Sequence, residues 1–140
     1  MFRFLLPAIP ILVPLLATSD VLARSKAAQW LVKEQIAGAC DGRRGTIDPS
    51  GVIERDLNGD GEDDLIISHE AISCGGAMSS FCGMQVCSVY FYVRRGDLLV
   101  EVHEMLGGGV EVGSGRVPKI SMYAHGGRRG SVSWNGRTFQ

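Results

Sequence analysis

The stretch that most strongly indicates the fold is VCSVYFYVRRGDLLVEVHEM, residues 86–105. Up to residue 93 its side chains alternate between two faces. One face carries Cys87, Val89, Phe91 and Val93, and the other carries Ser88, Tyr90 and Tyr92. Residues 94–97 have turn composition, and alternation resumes over 98–105. This period of two on both sides of a turn predicts an antiparallel β-hairpin.

Further strands are predicted on either side of this hairpin. Residues 52–57 and 65–69 flank an acidic turn, and weaker candidates lie at 110–112 and 120–124. The glycines at 107–109 are expected to end the strand that starts at Leu98. Asn135-Gly136 predicts a type I′ turn that leads into Thr138-Phe139.

One helix is predicted, over residues 25–37, with Ser25 as its N-cap and Gly38 at its end. Apolar residues recur at helical spacing, and Trp30 beside them is expected to pack against the sheet. The predicted fold class is therefore α+β, an N-terminal helix followed by an antiparallel sheet of successive β-hairpins.

Residues 1–23 have the pattern of a signal peptide. One basic residue precedes an apolar stretch, Phe4 to Ala17, which is too short and too rich in proline for a membrane-spanning helix. Val21-Leu22-Ala23 fits a cleavage site, with cleavage after Ser19 as the weaker option and an uncleaved anchor or buried helix as the alternative. We therefore expect residues 24–140 to form a single exported domain, periplasmic or secreted, with no transmembrane segment after cleavage.

Composition limits the class of protein. The chain has 140 residues, with 14 basic and 15 acidic residues, so its formal net charge is −1. This balance argues against a generally basic nucleic-acid binder. All 19 glycines follow residue 23, which favours turns and short strands over a coiled coil. Residues 113–140 contain basic residues and no acidic ones. This segment is interpreted as a solvated face that balances the acidic turn, and the alternative is contact with an anionic surface such as lipopolysaccharide or peptidoglycan.

The four cysteines, Cys40, Cys74, Cys82 and Cys87, are an even number in a chain with an export signal. They predict two disulfides, for which three connectivities are possible. The preferred pairing joins Cys74 to Cys82 and Cys40 to Cys87. Zinc is the alternative, but the spacings contain no Cys-x-x-Cys pair.

Residues 56–64, Asp-Leu-Asn-Gly-Asp-Gly-Glu-Asp-Asp, carry the one motif with a chemical interpretation. Side-chain oxygens stand at loop positions 1, 3, 5 and 9, and position 7 can offer its main-chain carbonyl. Calcium takes six to eight oxygen ligands in such loops, and a cation would offset the repulsion between the carboxylates. The predicted ligands are Asp56, Asn58, Asp60, Glu62 and Asp64, and the alternative is an acidic turn that needs no metal.

This segment matches the D-x-[DN]-x-D-G-x-x-D pattern of EF-hand-like calcium loops, except that Ile67 stands where an EF-hand has a bidentate Glu. Its strand-like flanks resemble the calcium loop of FG-GAP and related β-propeller repeats. A single copy implies the local hairpin and Ca²⁺, but not a propeller. Residues 56–67, 74–87 and 134–139 also resemble a group of small exported proteobacterial proteins with no assigned activity.

No catalytic constellation is apparent in the sequence. The three histidines lie far apart, and no nucleophile elbow or phosphate loop is present. The chain is therefore expected to be a non-enzymatic calcium-binding domain, a binding or structural module of the cell envelope with a structural Ca²⁺ and an unknown envelope or extracellular partner. The alternative is an envelope hydrolase or hydrolase inhibitor whose working residues the sequence does not identify.

Overall fold

The computed structural model describes residues 24–140, so the predicted signal peptide at 1–23 lies outside the described residues. The helix α1 comes first, and nine strands follow. The elements are α1 (Lys26–Ala39), β1 (Thr46–Ile47), β2 (Val52–Arg55), β3 (Asp64–Ser68), β4 (Ile72–Cys74), β5 (Ala77–Met78), β6 (Cys87–Arg95), β7 (Leu98–Val112), β8 (Ile120–Tyr123) and β9 (Arg129–Val132). Short 3-10 turns occupy Pro49–Gly51 and His69–Ala71. Over this part of the chain, no helix is long and apolar enough to cross a membrane.

Helix α1 begins where the sequence predicts. The hydroxyl of Ser25 accepts a hydrogen bond from the Ala28 amide at 3.2 Å, as an N-cap residue does. The helix ends two residues later than expected, because Gly38 lies within its last turn. Trp30 is 60% exposed, so the prediction that it packs in the core is wrong. It lies two positions from both Ala28 and Val32, which places it on the opposite side of the helix from these buried residues.

The strands form two antiparallel sheets. The larger has the order β2-β3-β6-β7-β8-β9, and the smaller has the order β1-β4-β5. The α+β class is confirmed, with one helix and antiparallel strands. The finer prediction, a succession of hairpins, is not confirmed, because β3 pairs with β6 only after the chain has built β4 and β5 of the other sheet.

The glycines at 107–109 do not end a strand, as was predicted, but lie inside β7. A Cβ atom on Gly108 would lie 2.3 Å from the ring of Tyr123, so the missing side chain makes room for this tyrosine. The pairing of β7 with β8 shifts register between Gly108 and Glu111. A bulge of this kind bends a strand, and the larger sheet is curled into a half-barrel.

The alternation predicted for residues 87–93 is confirmed, and both faces are buried. One face lines the inside of the curl, where a core cluster forms from Leu57, Ile66, Val89, Phe91, Val93, Ile120, Met122 and Phe139. On the other face, Tyr90 and Tyr92 pack with Leu65 and Ile67 against α1. The tyrosines are therefore covered by the helix and do not form an open sheet face.

The predicted C-terminal hairpin is present, with Trp134 opposite Phe139, but its turn is not type I′. That turn needs a positive φ at both central residues. Asn135 lacks one, whereas Gly136 has a φ of +99°. Asn135 instead accepts hydrogen bonds on Oδ1 from the amides of Arg137 and Thr138, both at 2.9 Å.

Two disulfides are present, Cys40–Cys74 and Cys82–Cys87, and no described cysteine is free. The expected pairing of Cys74 with Cys82 and of Cys40 with Cys87 is therefore wrong. Cys40 follows α1 and packs with Cys74 of β4 in a small buried cluster. Cys82 lies directly opposite Cys87 in an isolated antiparallel bridge, which brings these two together.

Candidate functional site

The acidic loop, residues 56–64, connects β2 to β3, and its polar side chains fold back onto its own backbone. Asp56 accepts hydrogen bonds from the amides of Asn58 at 3.2 Å, Gly59 at 2.7 Å and Gly61 at 2.8 Å. Asn58 Oδ1 accepts from the Asp60 amide at 3.0 Å, and Asp60 Oδ1 accepts from the Glu62 amide at 2.9 Å. The oxygens at positions 1, 3 and 5 therefore point towards the loop's own backbone.

Asp64, at position 9, is fully buried at the start of β3. Its Oδ2 accepts from the Leu57 amide at 2.8 Å, and its Oδ1 accepts from the Arg94 amide at 2.9 Å. The Arg94 side chain adds a bond from Nε to the carbonyl of Asp63 at 2.8 Å. This end of the loop is thus fixed to the end of β6.

The pKa values of the Asp56 and Asp64 carboxyl groups are shifted in opposite directions. For Asp56, partial desolvation raises the pKa, but the amides of Gly61, Gly59 and Asn58 together lower it below the usual value. For Asp64, burial raises the pKa, and the charges of Asp60 and Asp56 act in the same direction. The ionised loop therefore contains repulsion that a bound cation would relieve.

Arginine side chains link β2 and the acidic loop to the segment that follows β7. Arg116 Nη2 donates to the carbonyl of Gly59 at 2.7 Å, and Arg55 Nη1 donates to the carbonyl of Gly113 at 2.8 Å. The interpretation that the basic C-terminal segment balances the acidic turn is consistent with the first of these contacts.

The donor set fits a hard cation in its chemistry. Each carboxylate oxygen has two lone pairs, so an oxygen that accepts one amide hydrogen bond, such as Asp56 Oδ2 or Asp60 Oδ1, keeps acceptor capacity. Asp56 Oδ1 already accepts from two amides. Between residues 24 and 140, however, no three His, Cys, Asp or Glu side chains converge as a group that could hold a metal. Ile67, at position 12, is buried in β3 and supplies no ligand. Any ligand set therefore comes from the first nine positions.

A buried polar network was not predicted from the sequence. His69 is fully buried, and its Nδ1 lies 2.8 Å from Ser79 Oγ. Its Nε2 lies 2.7 Å from Gln35 Oε1, and Gln35 Nε2 donates to the hydroxyl of Tyr92 at 2.7 Å. These partners are 10, 34 and 57 residues apart in the chain, so no local pattern could have revealed the network.

The donor and acceptor of each hydrogen bond in this network can be assigned from the bond between Gln35 and Tyr92. Because Gln35 Nε2 donates to Tyr92, its Oε1 accepts, so His69 carries its proton on Nε2. Nδ1 then accepts the Ser79 hydroxyl proton. Burial lowers the pKa of His69 to about 4, and the negative charge of Glu104 acts in the opposite direction. Ser79 is 1% exposed, which keeps this Ser–His pair from reaching a substrate.

An acidic cleft of about 410 Å³ lies away from the loop, with Asp48, Glu70 and Glu111 in its lining. Asp48 caps a 3-10 turn by accepting from the Ser50 amide at 2.9 Å. Glu70 accepts from the Gly109 amide at 2.7 Å and from the Tyr123 hydroxyl, and Glu111 pairs with Arg129 at 3.3 Å. Each of the three carboxylates therefore holds a structural contact.

Comparison of the chain with protein-family models, with curated proteins and with solved structures finds no match. The likeness of residues 56–64 to calcium loops is thus a likeness of one short segment.

Proposed function

We propose that this protein is a non-enzymatic, exported domain that binds one Ca²⁺ in the acidic loop and acts as a binding or structural module of the cell envelope. The observation that carries the proposal is the set of inward-turned oxygens of Asp56, Asn58 and Asp60 between two paired strands. Asp64 and the main-chain carbonyl of Glu62 complete the proposed ligand set.

The position of the loop supports a structural role for the ion. Ile53 of β2 and Ile66 of β3 pair directly and contribute to the core inside the half-barrel. Asp64 ties the end of the loop to β6 through the Arg94 amide. An ion held by the loop would therefore fix the geometry of two core strands. Bound Ca²⁺ supplies positive charge that offsets the repulsion between these carboxylates.

Export is supported by the two disulfides, since such bonds persist in oxidising compartments. The signal-peptide pattern of residues 1–23 points to the same route. We place the protein in the periplasm or outside the cell on these two grounds.

Thermal unfolding of the purified protein with millimolar Ca²⁺ and with chelator tests the proposal. A ligand that binds only the folded state raises the melting temperature by mass action. Asp60→Ala should abolish the increase, because it removes a carboxylate from the centre of the ligand set. Asp63→Ala is the matched control, since it removes the same charge outside that set. An equal melting temperature with Ca²⁺ and with chelator would contradict the proposal.

The second proposal, an envelope hydrolase or hydrolase inhibitor, depends on the acidic cleft. It gains support only if substitution of Glu70 changes an activity while leaving the melting temperature unchanged. Because Glu70 accepts bonds from Gly109 and Tyr123, we expect Glu70→Gln to act on stability instead.

A further inference from the structure

The segment between the two disulfides, residues 75–81, lies over the edge of the His69 network, and we call it the strap. Cys74 is bonded to Cys40 at one end, and Cys82 is bonded to Cys87 at the other. Of the strap residues, only Ser79 is buried. The strap is therefore held at both ends by covalent bonds, and its first part, Ala77 and Met78, pairs with β4 as strand β5. Beyond β5, Ser79 supplies its one buried side chain.

Ser79 attaches the strap to His69. Its hydroxyl donates to His69 Nδ1, and its oxygen accepts from the Phe81 amide at 3.1 Å. The Phe81 ring meets the imidazole edge-on, with 5.2 Å between ring centroids, while 43% of the Phe81 residue remains exposed. The Ser80 amide adds one bond, to the carbonyl of Ala39 at 2.9 Å. The Phe81 carbonyl accepts from the Ser88 amide of β6 at 3.0 Å, so two main-chain bonds hold this part of the strap to the rest of the fold besides the contact with His69.

Protonation of His69 would disturb this attachment. A proton on Nδ1 removes the acceptor of the Ser79 hydroxyl, and it puts a positive charge at a fully buried site. The groups around His69 offer little compensation. α1 presents the uncharged Gln35, the strap presents Ser79 and Phe81, and Glu70 on the same 3-10 turn bonds to Gly109 and Tyr123 instead.

The remaining titratable groups lie on β6 and β7. Tyr90 packs on the imidazole at 5.1 Å between centroids, and Tyr92 bonds to Gln35. Burial raises the pKa of both tyrosines, that of Tyr92 to about 12, so both remain neutral in acid. Glu104 acts only at a distance, and it accepts a bond from Ser88 at 2.8 Å.

We propose that the strap is an acid-sensitive cover, which leaves the sheet when His69 is protonated and so exposes the imidazole and the adjoining ring of Tyr90. The pairing of β5 with β4 and the Cys82–Cys87 disulfide confine the movement to residues 79–81 of the strap. The imidazole is buried and neutral while the strap is closed, and it gains access to water only when the strap opens. Acid therefore shifts the equilibrium towards the open form.

Amide hydrogen exchange on the full chain tests this at pH 7 and pH 4, with each rate corrected for its intrinsic pH dependence. A histidine with a pKa of 6.5 in the open form and about 4 in the closed form raises the opening constant on the order of 100-fold between these pH values. We therefore expect protection of the Ser80 and Phe81 amides to fall by about this factor between pH 7 and pH 4. Protection of the Phe91 amide, in the core of the sheet, should fall far less. Equal losses at all three would show global acid unfolding and overturn the proposal.

Two variants make the test specific to His69. His69→Gln should abolish the acid response, whereas His125→Gln, at an exposed position, should retain it. If His69→Gln does not fold, Ser79→Ala replaces it. We then expect low strap protection already at pH 7 and less than a tenfold further loss in acid. An undiminished response in the His69 or Ser79 variant would contradict the proposal.

Discussion

The acidic loop and the His69 network are both built from polar side chains, but they differ in where their partners lie. Asp56, Asn58 and Asp60 find theirs within five residues along the chain. His69 and Gln35 find theirs across the fold, on separate elements. Local partners leave a contiguous pattern in the sequence, whereas distant partners leave none. Chemistry that the fold assembles is therefore visible only after the chain has folded.

One residue of the acidic loop, Asp64, has a hydrogen-bond partner far away in the chain. Asp64 is part of the motif, but its Oδ1 accepts from an amide 30 residues away, on β6. We expect Asp64→Ala to lower the free energy of unfolding by about 3–4 kcal/mol, because it leaves two amides at a buried site without an acceptor. Urea unfolding measures this loss, with the exposed Asp63→Ala as the matched control. A loss below about 1 kcal/mol for Asp64→Ala would show that these bonds contribute little.

The polar network should show an intermediate effect. Gln35→Ala leaves His69 Nε2 and the Tyr92 hydroxyl without their partner, so we expect a loss of about 2 kcal/mol in unfolding free energy. Its neighbour on α1, the exposed Glu34, provides the control, and Glu34→Ala should change stability by less than about 0.5 kcal/mol. Equal losses of unfolding free energy in the two variants would mean that the network does not stabilise the packing of α1 on the sheet.

The smallest effect is expected at the centre of the acidic loop in the absence of Ca²⁺. Asp60 is exposed and bonds only within the loop. With chelator present, Asp60→Ala should therefore cost less than about 1 kcal/mol, and the repulsion it relieves offsets part of that. The difference in unfolding free energy between Asp60→Ala and the unmodified protein should increase when Ca²⁺ is added. A large loss with chelator would mean that Asp60, like Asp64, stabilises the fold without an ion.

Strand positions could be predicted from the sequence wherever one period of two dominates, as in residues 87–93. The sequence could not show which face would be covered, and packing against α1 buries Tyr90 and Tyr92 almost as fully as the core buries Phe91. The helix pattern located α1, but its assignment of Trp30 to the core failed. Hydrophobicity favoured burial of this residue, while its position around the helix axis placed it in solvent.

Two further differences have the same physical cause. The glycines at 107–109 are strand breakers by composition, but Gly108 continues β7 because the ring of Tyr123 fills the space above it. The cysteine pairing also depends on contacts between distant elements, since Cys40 meets Cys74 only when the smaller sheet packs beside α1. Tertiary packing decides both outcomes, and local sequence patterns do not predict it.

The most direct test of the calcium loop is amide hydrogen exchange of the purified protein with Ca²⁺ and with chelator. If Ca²⁺ is a structural ion of this loop, chelation should lower protection over β2 and β3. The Ser133 and Gln140 amides, which bond across the C-terminal hairpin at 3.0 and 3.1 Å, should be unaffected. Even loss over all residues would instead show that the ion holds the entire fold. Unchanged protection everywhere would contradict calcium binding and leave residues 56–64 as an acidic turn.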